Sequence, residues 1–413
     1  MPDPDKVAAI RALLPATAAG IHLDAGTCGP LPAETQRAMD EQASMELVTG
    51  RAGADQWAAF AQRMDEARFS LAATLVADPS DIALTHSTTD GINLALGALD
   101  WRPGDRVLTT SQEHPCVLAP LAALSARFGV VVERLDIGDG GDADQVVDAF
   151  RTALERPARA VVASHVPWTT GAVLPVARLA TLARDAGAVS IVDGAQAAGA
   201  IPVALDDIGA DAYAVPGQKW LLGPEGMGGL HVRRAFADQA TPLSASHLSF
   251  ASFDLGRGTG VLHPGARRFE ATMFHRPSVV GFARSLGWLT MFVGLPWALE
   301  RAAALSRLAF QRLAAIPGVT MVSPSGAHGT LVTFRVGGWA AAQAVGELGP
   351  RIFAIVRDLP GIDAIRISTG FWNTEEEIER FARAVELLAA HTPETIPPRR
   401  TLAVLGSDDQ PLR

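Results

Sequence analysis

Residues 211–230, DAYAVPGQKWLLGPEGMGGL, give the strongest local indication of the fold of this chain. It opens on a short apolar run that predicts a buried strand, turns through Pro-Gly, and then places Lys219 before a large apolar pair, in a chain with few lysines. Lysine is seldom fully buried without a reason, so an amine at this position suggests a chemical role. A lone Gly-x-Lys also occurs in solvated turns, and the rest of the chain must decide between the two.

Short apolar runs of β-branched and small residues recur through the first two thirds of the chain. They are DIALT (81–85), RVLTT (106–110), VVVERL (130–135), AVVASH (160–165), AVSIVD (188–193), DAYAVP (211–216) and GGLHVR (228–233). Helix-like segments lie between them, and this alternation predicts an α/β fold with a seven-stranded, mainly parallel sheet. Ligands of such sheets bind beyond the carboxyl ends of the strands.

The pattern changes after residue 266 to long amphipathic helices, followed by the strands TLVTFRV (330–336) and DAIRIS (363–368). A last helix, TEEEIERFARAVELLAAH, is predicted to start at Thr374. We therefore expect four parts. They are an N-terminal segment (1–30) packing on the small domain, a large ligand-binding domain (31–265), a smaller α+β domain (266–395) and a flexible tail (396–413).

Composition narrows the class of protein. The chain has 413 residues, 48% of them hydrophobic, and a net charge of -9, which argues against nucleic acid or an anionic membrane as a partner. No apolar run reaches the roughly 18 residues of a membrane helix, and the first residues lack a signal-peptide pattern. Cys28 and Cys116 have neither metal-site nor disulfide spacing, which fits a reducing cytoplasm. We expect a cytoplasmic protein without a metal site.

A dinucleotide-binding dehydrogenase is the first rival for such a sheet. It requires Gly-x-Gly-x-x-Gly between the first strand and helix, with an acid about 20 residues further on. The glycine-rich runs GDGGD and GPEGMGG have neither this spacing nor this context, and a Walker motif is also absent. The sequence does not support a dinucleotide site.

Three features follow predicted strands at the edge where a ligand binds. Thr88 and Thr89 open a helix after DIALT, Asp193 and Gln196 end AVSIVDGAQ, and Lys219 follows DAYAVPGQ. A helix start with hydroxyl groups can bind a phosphate. A phosphate site, a buried acid and a buried lysine are together what pyridoxal phosphate requires. Each feature alone has a simpler explanation, because a strand-end Asp or a Thr pair often only caps a helix.

Several longer motifs resemble one family. They are VDGAQAAG (192–199), GQKWLLGPEGMGGL (217–230), SHVPWTTGAVLP (164–175), RFEAT (268–272) and RISTGFWNTEEEIER (366–380). They look like the class V aminotransferase-fold enzymes, which are pyridoxal-phosphate-dependent proteins of fold type I. The resemblance runs from LDAGTCGPLP (23–32) to the helix ending near residue 391, and it is nearest to the branch of cysteine/cystine C–S lyases and isopenicillin N epimerase-like proteins.

The resemblance implies a role for each residue that would contact the cofactor ring. Lys219 would form the Schiff base with pyridoxal 5'-phosphate, and Asp193 would pair with the pyridine nitrogen. Gln196 would donate to the phenolic oxygen. His114 would stack on the ring and would be a catalytic residue together with Lys219. For His114 a loop histidine bound to backbone remains the alternative. Trp168 occupies a position where desulfurases usually have Asn, and a Trp at that position resembles the lyase and epimerase-like branch. The alternative is that Trp168 is a core residue at the end of a strand.

The phosphate would lie on Thr88 and Thr89, helped by Gln218. Many relatives carry Ser-x-His-Lys where this chain has Pro-Gly-Gln-Lys, so one hydroxyl and one imidazole contact are missing. Thr272, in RFEAT, looks like the residue that reaches the partner subunit's phosphate across a dimer interface. The resemblance therefore implies a homodimer with shared active sites.

The reaction depends on the segment GELGPRIFAIVRDLPGIDAIRIS (346–368), where persulfide-forming desulfurases carry a nucleophilic cysteine. This segment has none, but it contains Arg357 and Arg366. Guanidinium groups are natural partners of a substrate α-carboxylate, although Arg357 could instead pair with Asp358. The combination looks most like a C–S lyase that performs α,β-elimination on an L-cysteine derivative, giving aminoacrylate and then pyruvate and ammonia, with Lys219 as the base.

Two other functions remain open from the sequence. An epimerase or aminotransferase of the same fold would use the same Lys, Asp and Arg residues and differ only in where the Cα proton goes. A non-catalytic scaffold should have lost Lys219 or Asp193, and this chain retains both.

Overall fold

The computed structural model describes residues 3–399. The helices are Pro4–Ala12 (α1), Ala16–Ala19 (α2), Ala33–Thr49 (α3), Ala54–Leu75 (α4), Thr88–Gly97 (α5), Pro115–Phe128 (α6), Ala143–Ala153 (α7), Val176–Asp185 (α8), Leu205–Ile208 (α9), Arg234–Ala237 (α10), Arg276–Gly287 (α11), Leu295–Ala314 (α12), Ala341–Ile352 (α13) and Glu375–Ala389 (α14). The strands are Ile21–His22 (β1), Ile82–Thr85 (β2), Arg106–Thr110 (β3), Val131–Leu135 (β4), Ala160–Ser164 (β5), Val189–Asp193 (β6), Ala212–Pro216 (β7), Gly228–Val232 (β8), Phe250–Asp254 (β9), Thr259–Leu262 (β10), Val319–Met321 (β11), Leu331–Val336 (β12), Ala354–Ile355 (β13), Arg357–Leu359 (β14) and Ala364–Ser368 (β15).

The large sheet has seven strands in the order β2-β8-β7-β6-β5-β3-β4. Only β8 runs against its neighbours, so the carboxyl ends of the other six strands lie at one edge. Each strand corresponds to one of the seven predicted apolar runs, and the predicted α/β fold of type I is confirmed. The central strands β5 and β7 are buried along their whole length because both faces of the sheet are covered, whereas the edge strand β4, VVERL, is only partly buried.

Alternate residues of the strands pack into two separate apolar clusters. Leu84 and Val161 belong to one cluster, and their chain neighbours Ala83 and Val162 belong to the other. This is the period of two that a strand imposes on its side chains. The sheet is therefore the middle layer of the large part of the molecule, with helices on both faces.

A second sheet of four antiparallel strands, in the order β11-β12-β15-β14, forms the smaller unit with α12, α13 and α14. The predicted start of α14 is present, because Thr374 and Glu377 form a capping box. β1 pairs with β13, and the amide of Ser368 at the end of β15 donates to the carbonyl of Leu23. The N-terminal segment thus borders the small unit. The domain limits expected from the sequence stay predictions, and residues 400–413 of the predicted tail lie outside the described part of the chain.

The two long helices predicted after residue 266 are α11 and α12, and an irregular segment lies between them. α11 continues as a π-helical segment, Trp288–Val293, and the chain then bends by 81° before α12. Gly294, with φ of 82°, and the following Leu-Pro produce the bend. Within residues 3–399 no single helix is long and apolar enough to cross a membrane, and this bent pair passes such a test by length and composition only.

Candidate active site

A cavity of about 230 Å³ opens at the edge of the large sheet where its six parallel strands end. Nine of the eleven predicted site residues line it, namely Thr88, Thr89, His114, Trp168, Gln196, Gln218, Lys219, Arg357 and Arg366. Asp193 borders it through Cys116, and Thr272 lies outside it. A larger cavity of about 540 Å³, lined by Leu75, Val76 and Leu295 among others, contains none of these residues.

Lys219 lies on a tight loop between β7 and β8. Its carbonyl accepts from the amide of Leu222, a buried non-glycine residue with φ of 55°. A second bond, from the amide of Gly29 to the carbonyl of Gln218 at 2.8 Å, ties the loop to the N-terminal segment. A strained backbone held by its surroundings is common at functional sites. Burial lowers the pKa of the Lys219 amine, although nearby Asp193 opposes the effect, so the neutral and nucleophilic form is more populated than for a lysine in water.

Asp193 is buried at the end of β6, with 3% of its surface exposed. Its Oδ1 accepts from the amide of Ala195 at 2.8 Å, and its Oδ2 lies 3.2 Å from the Sγ of Cys116. Within residues 3–399 no Lys, Arg or His forms an ion pair with this carboxylate. Burying a carboxylate without a cation is costly, and a protonated ring nitrogen would supply the missing charge.

The opposite side of the cavity is formed by the start of α5. The Ser87 hydroxyl caps this helix by accepting from the amide of Asp90. The first amides of the helix have no partner within the helix and point out of its end. The hydroxyl of Thr88 and the Oε1 of Gln218 are buried without a hydrogen-bond partner among the described residues. Amides and hydroxyls at a helix N-terminus form an anion site.

His114 caps α6, because its Nδ1 accepts from the amide of Cys116 at 3.1 Å. This bond assigns the remaining ring proton to Nε2. Burial, with the charge of Lys219, lowers the pKa of His114 to about 4, so the imidazole is neutral at pH 7. His114 also meets Trp168 edge to face at 5.0 Å, and both line the cavity. His114 is therefore bonded to the backbone and also lines the cavity, so the two alternatives for this residue do not exclude each other.

Gln196 is held at both ends of its amide. Its Nε2 donates to the carbonyl of Gly26 at 2.8 Å, and its Oε1 accepts from the indole of Trp220 at 3.0 Å. One N–H of the amide remains for a ligand in the cavity. These bonds define the orientation of the amide before any ligand binds.

Arg357 and Arg366 face each other across the antiparallel pair β14–β15. Arg366 is 1% exposed, donates to Asp24 at 3.3 Å and to the carbonyl of Trp168 at 3.2 Å, and has an Nε without a partner. Arg357 is half-buried and donates to Thr27 rather than to Asp358. Like charges directly opposite in a sheet repel each other, and the burial lowers the pKa of Arg366 to about 10. A bound carboxylate would relieve both effects.

Thr272 is exposed and lies outside the cavity of its own chain. Its hydroxyl is 3.5 Å from Nδ1 of His86, the residue just before Ser87, which caps α5. The role of Thr272 at a partner's phosphate therefore stays a prediction.

Four side chains that line the site or lie next to it were not singled out from the sequence: Thr27 and Cys116 in the lining, and Asp24 and Glu113 behind it. Asp24 and Thr27 come from the N-terminal segment and hydrogen-bond the two arginines. Cys116 reaches Asp193, and buried Glu113 accepts from Thr110 and Ser164, with burial raising its pKa to about 7. For Cys116 and Glu113, one indication of a place near the site was available from the sequence, which is that both lie within two residues of His114.

The cavity fits pyridoxal phosphate. The buried carboxylate without a cation, the orphaned Thr88 hydroxyl and Gln218 oxygen, and an amine with a lowered pKa match the pyridine nitrogen, phosphate and aldehyde of that cofactor. The unpartnered Nε of Arg366 and indole N–H of Trp168 are left for another ligand. Lys219 and Asp193 would hold the cofactor ring, and the start of α5 would hold its phosphate.

Comparison with known proteins agrees with this geometry. The family model described as Aminotransferase class-V matches residues 21–381, and the chain belongs to this family of pyridoxal-phosphate-dependent enzymes. Its cofactor is pyridoxal 5'-phosphate.

Three relatives show the range of activities in the neighbourhood. Isopenicillin N epimerase of Amycolatopsis lactamdurans is 31% identical over 398 residues, which cover 89% of this chain and 95% of that protein. A probable cysteine desulfurase of Methanothermobacter thermautotrophicus is 26% identical over 398 residues, which cover 92% of this chain and 97% of that protein. The cystine C–S lyase C-DES, in complex with its reaction product cysteine persulfide, superposes with a TM-score of 0.85 at 26% identity, covering 90% of this chain and 99% of that one.

Proposed function

We propose that the protein is a C–S lyase that performs α,β-elimination on an L-cysteine derivative and yields pyruvate, ammonia and a sulfur-containing product. The observation that carries this proposal is the composition of the cavity, which brings the Lys219 amine, with its pKa lowered by burial, together with the arginine pair Arg357 and Arg366. The bound cofactor supplies an electron sink for the charge that develops at the substrate Cα.

The arginine pair would orient the substrate. Arg366 can offer its free Nε, and Arg357 lies directly across the sheet from it, so the two guanidinium groups can share one carboxylate. A fixed α-carboxylate leaves the Cα–H bond and the side chain in defined directions relative to Lys219. Lys219 Nζ then removes the Cα proton, and the Cβ–S bond breaks with its electron pair on the leaving sulfur. Water hydrolyses the resulting aminoacrylate to pyruvate and ammonia.

Epimerisation by two bases requires a second group that can deliver a proton to the opposite face. His114 is neutral, and its Nδ1 is occupied by the amide of Cys116, so it is poorly suited to accept or deliver that proton. The thiol of Cys116 is directed at Asp193, and burial raises its pKa. These contacts support elimination over epimerisation, although a relative is an epimerase.

A desulfurase mechanism requires a cysteine thiolate as sulfur acceptor. Cys28 and Cys116 are the two cysteines of the chain, and burial raises the pKa of both thiols, with Glu225 beside the first and Asp193 beside the second. Thiols of this kind are poor nucleophiles. The site therefore supports release of the sulfur product rather than its transfer to the protein.

The cofactor-loaded protein is expected to form pyruvate from L-cystine or from cysteine S-conjugates, and not from the D-enantiomers. A lactate dehydrogenase coupled assay measures the product, and L-alanine, which has no leaving group at Cβ, is the matched control. Absence of pyruvate across a broad panel would refute the proposal. Exchange of the Cα proton in heavy water without pyruvate would instead support an epimerase, and conversion of the cofactor to its amine form with a keto acid would support an aminotransferase.

A homodimer is part of the same proposal. The hairpin of β9 and β10 and the segment after it expose apolar side chains, with Leu255 90%, Phe253 42% and Met273 41% exposed. Thr272 lies beside Met273, where a second copy would bring it to another subunit's phosphate site.

We expect light scattering to give twice the chain mass. Thr272→Ala should weaken pyridoxal phosphate binding about tenfold, because it removes one charge-assisted hydrogen bond. Thr181→Ala, an exposed residue of α8, is the control. A monomer at working concentration, or unchanged cofactor affinity, would contradict this part of the proposal.

A further inference from the structure

Cys116 is the second residue of α6 and lies between the capping histidine and the buried acid. Pro115 begins the helix, and the Cys116 amide is bonded to His114 Nδ1 at 3.1 Å. With its backbone anchored in this way, the Cys116 side chain places Sγ 3.2 Å from Asp193 Oδ2. The thiol also lines the cavity.

We propose that Cys116 is a positioning residue that holds the Asp193 carboxylate in the orientation required by the cofactor's ring nitrogen. The inference rests on the proposed pairing of Asp193 with that nitrogen. Within residues 3–399 the carboxylate has two hydrogen-bond donors, the amide of Ala195 on Oδ1 and the thiol on Oδ2.

The orientation of an aspartate carboxylate is weakly defined by its own torsions, because the terminal sp³–sp² torsion is broad and roughly two-fold. One donor on each oxygen defines the plane of the group. Each carboxylate oxygen has two lone pairs, so the thiol leaves room for the ring N–H.

The thiol would also affect whether the Asp193 carboxylate or the ring nitrogen of the cofactor holds the proton between them. A hydrogen bond to the charged form of an acid stabilises that form, so donation from Cys116 favours a carboxylate facing a protonated ring nitrogen. Burial and the neighbouring Asp193 raise the pKa of the thiol, which keeps the sulfur protonated as a donor. A protonated ring is the better electron sink, and the thiol thus supports the chemistry without contacting the substrate.

The test compares Cys116→Ala with Cys116→Ser, which keeps a donor, in protein loaded with ring-¹⁵N pyridoxal phosphate. The alanine variant should shift the ring-nitrogen resonance toward its unprotonated position and lower kcat about tenfold with little change in KM. The serine variant should restore both. In an Asp193→Asn background the alanine change should have no further effect, because coupled residues are not additive.

Cys28→Ala is the matched control, because this thiol contacts Glu225 and not Asp193. A wild-type ring-nitrogen resonance in Cys116→Ala, or an equal kcat loss in Asp193→Asn, would overturn the inference. If wild-type protein itself shows no bound cofactor or an unprotonated ring, the proposed role of Asp193 fails instead.

Discussion

Lys219→Ala is expected to abolish covalent attachment of pyridoxal phosphate and to lower elimination by roughly 10⁴-fold, because the variant loses both the covalent anchor and the base. Lys219 is the amine in the cavity whose pKa is lowered by burial. Borohydride reduction of the loaded wild-type protein, followed by peptide mass spectrometry, should show the cofactor on the peptide that contains Lys219.

The chain offers an unusually clean control, since Lys6 is its only other lysine. Lys6 lies over the ring of Trp297, at 4.1 Å from the centroid, and does not line the cavity. Lys6→Arg should therefore label as the wild type does. Labelling of Lys6 in the native protein, or persistent labelling and activity in Lys219→Ala, would contradict the whole assignment of the site.

Arg366→Ala is expected to lower kcat/KM by roughly 10²- to 10³-fold, mainly through KM, because it removes a buried charge from the carboxylate site. Arg357→Ala should have a smaller effect, about tenfold, since this side chain is half-buried and bonded to Thr27. Steady-state kinetics with a cysteine S-conjugate measure both effects.

A decarboxylated analogue of the same substrate separates carboxylate binding from general damage. Its low kcat/KM should not fall further in Arg366→Ala, because it makes no contact with the guanidinium. Arg366→Lys keeps the charge next to Asp24 and controls for loss of fold, which thermal unfolding measures. Equal losses for the substrate and its analogue would show that Arg366 does not bind the carboxylate.

For the arginine pair, the sequence predicts which residues bind the carboxylate, and the structure gives their relative position. Both arginines were predicted from their chemistry and from the family resemblance, but their spacing of nine residues does not say that they face each other. The short hairpin between β14 and β15 puts them in register. Their partners Asp24 and Thr27 lie more than 300 residues away in sequence. No local pattern predicts such a contact, because it depends on the packing of the N-terminal segment.

Cys116 was classified from the sequence only as a cysteine without metal or disulfide spacing. Its contact with Asp193 joins residues 77 apart, on α6 and β6. Rules on cysteine spacing apply to residues that bind one metal or form one disulfide. They say nothing about a contact between a helix and a strand that meet at the same edge of the sheet.

The seven strands and the chemical groups at their ends can be predicted from the sequence, because apolar runs and turn residues act locally, and the family resemblance adds the type of fold. Which of those groups meet depends on the folded chain, since adjacency follows the strand order β2-β8-β7-β6-β5-β3-β4 and not the chain order. Folding also changes the pKa values of these groups. Burial, which lowers the pKa of Lys219 and His114 and raises that of Glu113, arises only when distant segments close over the site.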